Sequence, residues 1–358
     1  MQNSPELFVF IMAGGSGERF WPLSRREIPK QLLCLFSDKP LLGETLERVK
    51  GLAAADHTFI LTNHQQRHAT LQALPDFPAQ QLIAEPAKRD TAPAAALATA
   101  IAHAQNPNAV VILLPADHLI KNISAFRQNL LDAARQAAES ENLVTIAIRP
   151  SHSSTAYGYL KLSPASHQAK ANATIFHQVE RFVEKPALAT AKEYLASGQY
   201  AWNAGMFAWR ASVFYKEAQS LAPELASFIE KFPANREDAT AYITECFPSL
   251  PKISVDYAIM EKASSVIAAQ SEFDWDDVGS WSSLATHLPQ DANGNTVRGD
   301  AVLHEASNNI VVSGGRHIAL CGVDNLVVVE VGDTVLVCHR DQVQNVKNLL
   351  PHLPEKLL

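Results

Sequence analysis

Along the first 150 residues, short apolar runs alternate with stretches whose apolar positions return at helical spacing. "LFVFIMA", "TFILTN", "AVVILLPADH" and "NLVTIAI" read as buried strands. "LLGETLERVKGL", "TAPAAALATAIAHA" and the segment near 123–139 read as helices. Strands alternating with helices predict a largely parallel sheet covered on both faces. In such α/β sheets, ligands collect beyond the carboxyl ends of the strands. The loops "AGGSGER" and "PADH" both fall at such ends.

From about 150 to 285 the alternation is less regular. Strands such as "YGYLKL", "ERFVEK" and "AGMFAWR" mix with helices near 188–197, 211–220 and 256–263, which predicts additional sheet and a lid on the same domain. After Pro289 the chain turns to short β-rich pieces separated by Gly, Asn and Asp. Ile310, Ile318, Leu326 and Val335 recur at steps of about eight or nine residues, the texture of stacked short coils. The expectation is a catalytic-sized domain over 1–289 and a small β-helix-like domain over 290–358, closing on a helix at "VQNVKNLLPHL". A meander of hairpins is the alternative for the second unit.

Composition narrows the class. The chain has 358 residues, 47% of them hydrophobic, enough for a large buried core. Its net charge of −7 argues against coating nucleic acid or an anionic membrane, so any phosphate ligand must be met by locally gathered cations. The four cysteines have no paired metal spacing and read as free thiols in a reducing compartment. The run Leu7–Ala13 is too short to span a bilayer and lacks a basic leader, so a cytoplasmic location is expected.

The segment "MAGGSGERFWPLSRREIPKQ" carries the strongest chemistry. Phe20 stands where the dinucleotide fingerprint needs its third glycine, and no Gly-Lys-Ser/Thr follows. A third kind of phosphate loop is left, or a plain turn. Gly14 to Gly17 can turn several N–H groups into one concavity, Arg19 can fork two phosphate oxygens, and Lys30 adds a compact charge. Asp117 in "LLPADH" suits a hard cation carrying phosphates, and "FDWDDVGSW" adds Asp274, Asp276 and Asp277, any of which could instead cap the following helix. Glu184 and Lys185 are neighbours in "FVEKP", facing opposite ways unless the chain twists before Pro186; Asn203 in "WNAGMF" is placed like a hydroxyl reader. No H-E-x-x-H or G-x-S-x-G is present. A glycine loop, clustered cations and two carboxylates, without an acid–base machine, fit transfer between phosphates.

With these pieces in order, the chain resembles the mannose-1-phosphate guanylyltransferases, or GDP-mannose pyrophosphorylases, of the bacterial type. The likeness runs from the first motif through "EPAKRDTAPA", "LLPADH", "TAYGYL", "RFVEKP", "WNAGMF", "DYAIMEK" and "WDDVGSW" to "DQVQNVKNLL". It implies an α/β fold: a Rossmann-like nucleotidyltransferase mixed sheet flanked by helices, plus the small C-terminal β-helix-like domain. It further implies that Ala13, Gly14, Gly15, Ser16 and Gly17 embrace the GTP triphosphate, Arg19 holds the leaving pyrophosphate, and Lys30 sits by the reacting phosphates. Lys185 would grip the sugar phosphate, Glu184, Asn203 and the backbone of Gly158 would read the mannose, and Asp117 and Asp277 would hold Mg²⁺. Glu85, Arg89 and Asp90 would lie by the guanine. Asp90 departs from the family's usual Asn. GTP and mannose 1-phosphate would be the substrates, and the β-rich tail is expected to support a homodimer. A cupin isomerase domain, fused in some relatives, is not expected in a chain ending at Leu358. A non-catalytic GDP-mannose sensor, or the same chemistry on another sugar phosphate, are the competing readings.

Overall fold

The computed structural model describes residues 5–164 and 174–358. Its first half alternates as the periodicity predicts: β1 (Leu7–Met12), α1 (Leu41–Val49), β2 (Thr58–Asn63), α2 (Arg67–Ala73), β3 (Leu82–Glu85), α3 (Thr91–Gln105), β4 (Val110–Pro115), α4 (Ile123–Glu139) and β5 (Leu143–Ile148). Then follow β6 (Gly158–Leu162), β7 (Phe176–Glu184), α5 (Leu188–Ser197), β8 (Tyr200–Arg210), α6 (Ala211–Leu221), α7 (Pro223–Glu230), α8 (Arg236–Cys246), β9 (Val266–Gln270) and α9 (Ser282–His287).

All nine strands belong to one mixed sheet, in the order β3-β2-β1-β4-β8-β5-β9-β7-β6. The expected additional sheet is therefore an extension of the first. β8 runs antiparallel to both β4 and β5 and splices the two halves together. Near 256–263 the predicted helix is a single wide π-type turn, Asp256–Met260.

Alternating side chains of β1 feed both faces. Phe8 and Phe10 pack with α3 and α6–α8 on one side, while Val9 and Ile11 join residues of α1 and α4 on the other. α3 is buried from Ala92 to Ala102, because a helix that is mostly alanine is thin enough to lie between the sheet and α6–α7.

The chain leaves β1 outward to β2 and β3, then returns to place β4 on the other side of β1. Its crevice for ligands therefore opens beyond the carboxyl ends of β1 and β4. Met12 and Pro115 are register partners there, so the loop after β1 and the loop after β4 start side by side.

The β-rich tail contains β10 (Thr296–Arg298), β11 (Ala301–His304), β12 (Ile310–Ser313), β13 (Ile318–Cys321), β14 (Leu326–Val331) and β15 (Thr334–His339). β10, β12 and β14 stack in parallel, as do β11 and β13. The eight- or nine-residue step is thus half a coil, with successive strands falling in two sheets. Buried Asn295 and Asn309 line one corner, where the Asn309 side-chain amide donates to Asn295 Oδ1 and its Oδ1 accepts from the Leu326 N–H. The hairpin alternative holds only for the last pair, β14 and β15, which are antiparallel. The expected final helix is a 3₁₀ run, Arg340–His352.

Candidate active site

Two cavities open at the crevice. One, of about 530 Å³, is lined by Gly14, Gly15, Glu85, Arg89, Asp90, Tyr157, Gly158, Glu184, Asn203 and Asp256, among others. The second, of about 380 Å³, is lined by Ser16, Gly17, Arg19, Lys30 and Lys347 among others. Asp117, His118 and Asp277 line both. The loop after β1 thus straddles two spaces that share one carboxylate-bearing wall.

The loop's orientation follows from where its carbonyls are tied. The Gln31 side chain donates to the Ala13 and Gly15 oxygens, Gln66 donates to Gly15, and the Ser24 hydroxyl donates to Gly17. Among the described residues, the N–H groups of Gly14, Gly15, Ser16 and Gly17 have no acceptor. Carbonyls held inward and free N–H groups make an anion nest. Gly17 is at φ 64°, and a Cβ there would lie 2.3 Å from the Lys30 Cβ, so only glycine lets this lysine approach. The Arg19 Nε is buried and has no partner among the described residues.

Asp117 and Asp277 are brought together by a β-bridge between Leu119 and Asp276, which exchange both backbone hydrogen bonds at 2.9 and 3.1 Å. Lys30, buried behind them, forms an ion pair with Asp117 at 2.9 Å and donates to the Asp277 carbonyl at 2.5 Å. Burial alone would raise the Asp117 carboxyl, but the Lys30 ammonium holds it below the ordinary value. Asp277 is raised, first by burial and further by the charges of Asp276 and Asp117, despite Lys30 and a 2.9 Å hydrogen bond from the Tyr157 hydroxyl. A cation between the two carboxylates would relieve that repulsion. Among the described residues no three His, Cys, Asp or Glu side chains converge as a metal cage. Two hard carboxylates facing both cavities still fit Mg²⁺, which takes few protein ligands and fills its shell with phosphate oxygens and water.

Asp276 points away: its carboxylate accepts from the Val278 N–H, Ser283 and His287, which makes it the acid that ties this segment together. Asp277 does not cap α9, whose N-cap Trp281 has no side-chain bond. Asp274 accepts the N–H groups of Lys121 and Asn122. His118 is buried and lowered to about 4 by loss of solvation, and its Nδ1 accepts from the Trp275 indole. It is a neutral structural partner.

In the larger cavity, burial pushes Glu85 up to about 8, and its carboxyl has no hydrogen-bond partner among the described residues. Arg89 donates to the Pro248 carbonyl, and Asp90, at φ 68°, accepts from the Thr91 N–H and caps α3. Glu184 lies against Gly158, where a Cβ would come within 2.6 Å of its Oε2. Lys185 is at φ 46°, the twist that sets its side chain beside Glu184; the two pair at 2.5 Å on the rim, and Lys185 does not line either cavity. The Asn203 amide accepts from Thr145 and donates to Asp256 at 2.8 Å, keeping one N–H for a ligand. Burial raises Asp256 to about 6.

Tyr157, Asp256, Gln31, Gln66 and Lys347 were not individually legible as site residues. The first three and Lys347 stand inside the motifs quoted above, but only their tertiary contacts assign them a task.

The sheet order, the loop of free N–H groups and the twin carboxylates are the features of a nucleotidyl-transferring α/β enzyme. Residues 9–294 match the family described as "Nucleotidyl transferase", and residues 299–353 match the "MannoseP isomerase/GMP-like beta-helix domain". The chain is 39% identical to the xanthan biosynthesis protein XanB of Xanthomonas campestris pv. campestris strain B100, over 97% of its own length and 73% of that relative's. It is 37% identical to the mannose-1-phosphate guanylyltransferase of Klebsiella pneumoniae, over 98% of this chain and 74% of the relative. A crystal structure from Thermus thermophilus, described as a mannose-1-phosphate geranyltransferase, superposes with a TM-score of 0.86 at 34% identity, covering 97% of this chain and 99% of that one. The chain belongs to the mannose-1-phosphate guanylyltransferase family.

Proposed function

We propose that this enzyme transfers GMP from GTP to mannose 1-phosphate, giving GDP-mannose and pyrophosphate. The observation that carries this reading is the pair of cavities meeting at Asp117 and Asp277, one with room for a nucleoside and a sugar, the other walled by unsatisfied N–H groups and cations. An oxygen of the sugar phosphate attacks the α-phosphorus, the bond to the β-phosphate oxygen breaks, and its electron pair leaves on pyrophosphate. The attacking oxygen is already anionic at neutral pH, so the step calls for no general base, and His118 is held as a neutral structural partner.

In this reading the Gly14–Gly17 N–H groups and Arg19 hold the β- and γ-phosphates. Lys30 sets the position and charge of Asp117. Glu85 accepts from guanine, with Arg89 and Asp90 shaping the wall beside it. Glu184, Asn203 and the Gly158 backbone face the mannose, and Lys185 reaches the sugar phosphate from the rim. Asp117 and Asp277 are the residues that would hold Mg²⁺. When bound, Mg²⁺ supplies neutralisation of the phosphate charge. The test is pyrophosphate release measured across a panel of nucleoside triphosphates and sugar 1-phosphates. Release with GTP and mannose 1-phosphate well above every other pair is expected; GDP-mannose binding without turnover under any divalent metal would overturn the enzyme reading.

The compartment in this reading is the cytoplasm, which agrees with four free thiols; no described helix is long and apolar enough to cross a membrane. The functional unit is a homodimer formed through the β-rich tail, supported by the edge strand β15, which exposes Val335 and Val337.

A further inference from the structure

The smaller cavity takes all but one of its lining residues from the sheet domain. The exception is Lys347, in the 3₁₀ run that follows β15. This run is docked firmly. Val343 and Val346 are buried in the same apolar cluster as Phe20, Trp21, Leu33 and the β-rich core residues Ile310, Val327 and Val329. The Trp21 indole also donates to the Leu357 carbonyl at 2.8 Å. Phe20 and Trp21 directly follow Arg19, so the tail packs against the underside of the phosphate loop. Lys347 comes next after Val346 and sits on the cavity side of that contact.

The cations at this cavity differ in availability. Lys30 is buried and already paired with Asp117. Lys347 is exposed and has no ion pair or hydrogen bond among the described residues. Arg19 keeps an unpartnered buried Nε. A polyphosphate entering here meets two cations with unused donors, one from each domain, and the free N–H groups of the loop.

We propose that Lys347 is a ligand of the leaving pyrophosphate, so that the β-rich domain completes the active site. The inference rests on the guanylyltransferase reading above. When the bond from the α-phosphorus to the bridging oxygen breaks, negative charge accumulates on pyrophosphate, and a lysine free of protein partners offers up to three charge-assisted donors to it.

The experiment is the reverse reaction, GDP-mannose plus pyrophosphate, with each substrate varied. Lys347→Ala should raise the KM for pyrophosphate about tenfold, the size expected for one charge-assisted hydrogen bond, and leave the KM for GDP-mannose within about twofold. Lys347→Arg should restore most of the loss. An unchanged pyrophosphate KM in Lys347→Ala overturns the proposal, as does an equal rise in both KM values. Titration of wild type and variant with magnesium pyrophosphate reads the same contact without turnover. Wild-type protein that binds pyrophosphate but forms no GTP would sink the guanylyltransferase reading; the titration would then decide Lys347 separately, weaker binding by the variant supporting it and equal binding overturning it. Should Lys347→Ala fail to fold, the contrast of Lys347→Gln with Lys347→Arg carries the test.

Discussion

Glu85 shows how one residue's burial becomes a pH dependence. Loss of solvation raises its carboxyl to about 8, so it is protonated through neutral pH in the ligand-free protein. In the proposed reading the N–H groups of guanine meet this carboxyl and favour its ionised form. The KM for GTP should therefore fall as pH rises from about 6 and level off above about 8, with Glu85→Gln flattening the profile. The sign for stability is opposite. The unfolded chain ionises near the ordinary Glu value and the folded one near 8, so this group's stabilising contribution is complete below the ordinary value and is lost as pH rises towards 8. Urea melts of the wild type and Glu85→Gln across this window read that difference; parallel curves would refute it. Asp276 and Asp277 are adjacent but differently employed. Asp277→Asn should lower the rate by about 100-fold or more, the size of several kcal/mol of charge stabilisation, with little change in melting temperature, because its charge is already disfavoured by burial. Asp276→Asn should do the reverse, lowering the melting temperature through Val278, Ser283 and His287 while sparing turnover. The opposite pattern would mean the two roles are exchanged.

At the scale of elements, the site depends on loops held at both ends by the sheet. The loop after β1 has its carbonyls tied by Gln31, Gln66 and Ser24, and its tight turn brings Gly17 against Lys30. Gly17→Ala introduces both a strained positive φ and a contact inside van der Waals range. It should cost at least about 1–2 kcal/mol of stability and displace Lys30 from Asp117. Thermal melts with activity assays check this, and a variant as stable and active as wild type would show that the loop relaxes freely. The glycines and the lysine were legible in sequence because they crowd one short motif. The glutamines that orient the loop were not, because a buried Gln is recognised only by the carbonyls it meets.

For the whole molecule, the tail supplies Lys347 to the lining of the smaller cavity and is the proposed dimer surface. Val335→Asp with Val337→Asp puts two charges on the exposed face of β15. Sedimentation should shift from dimer to monomer with the fold retained; a wild-type monomer at micromolar concentration would end the dimer proposal. The chain's periodicities were enough to predict the strand–helix alternation and the change of texture near residue 290, and its turn glycines marked the loop after β1. Those are local properties: a period of two or 3.6 and a turn's glycine are written within a few residues. Whether the strands after residue 150 made a second sheet or extended the first was a matter of long-range pairing, and β8 decided it by bonding to both halves. Likewise, Asp117 and Asp277 could be nominated separately, but their meeting required the Leu119–Asp276 bridge. Lys347 needed Val343 and Val346 to pack into one apolar cluster with Phe20 and Trp21, because a side chain's partners across hundreds of residues are set by packing that no local stretch encodes.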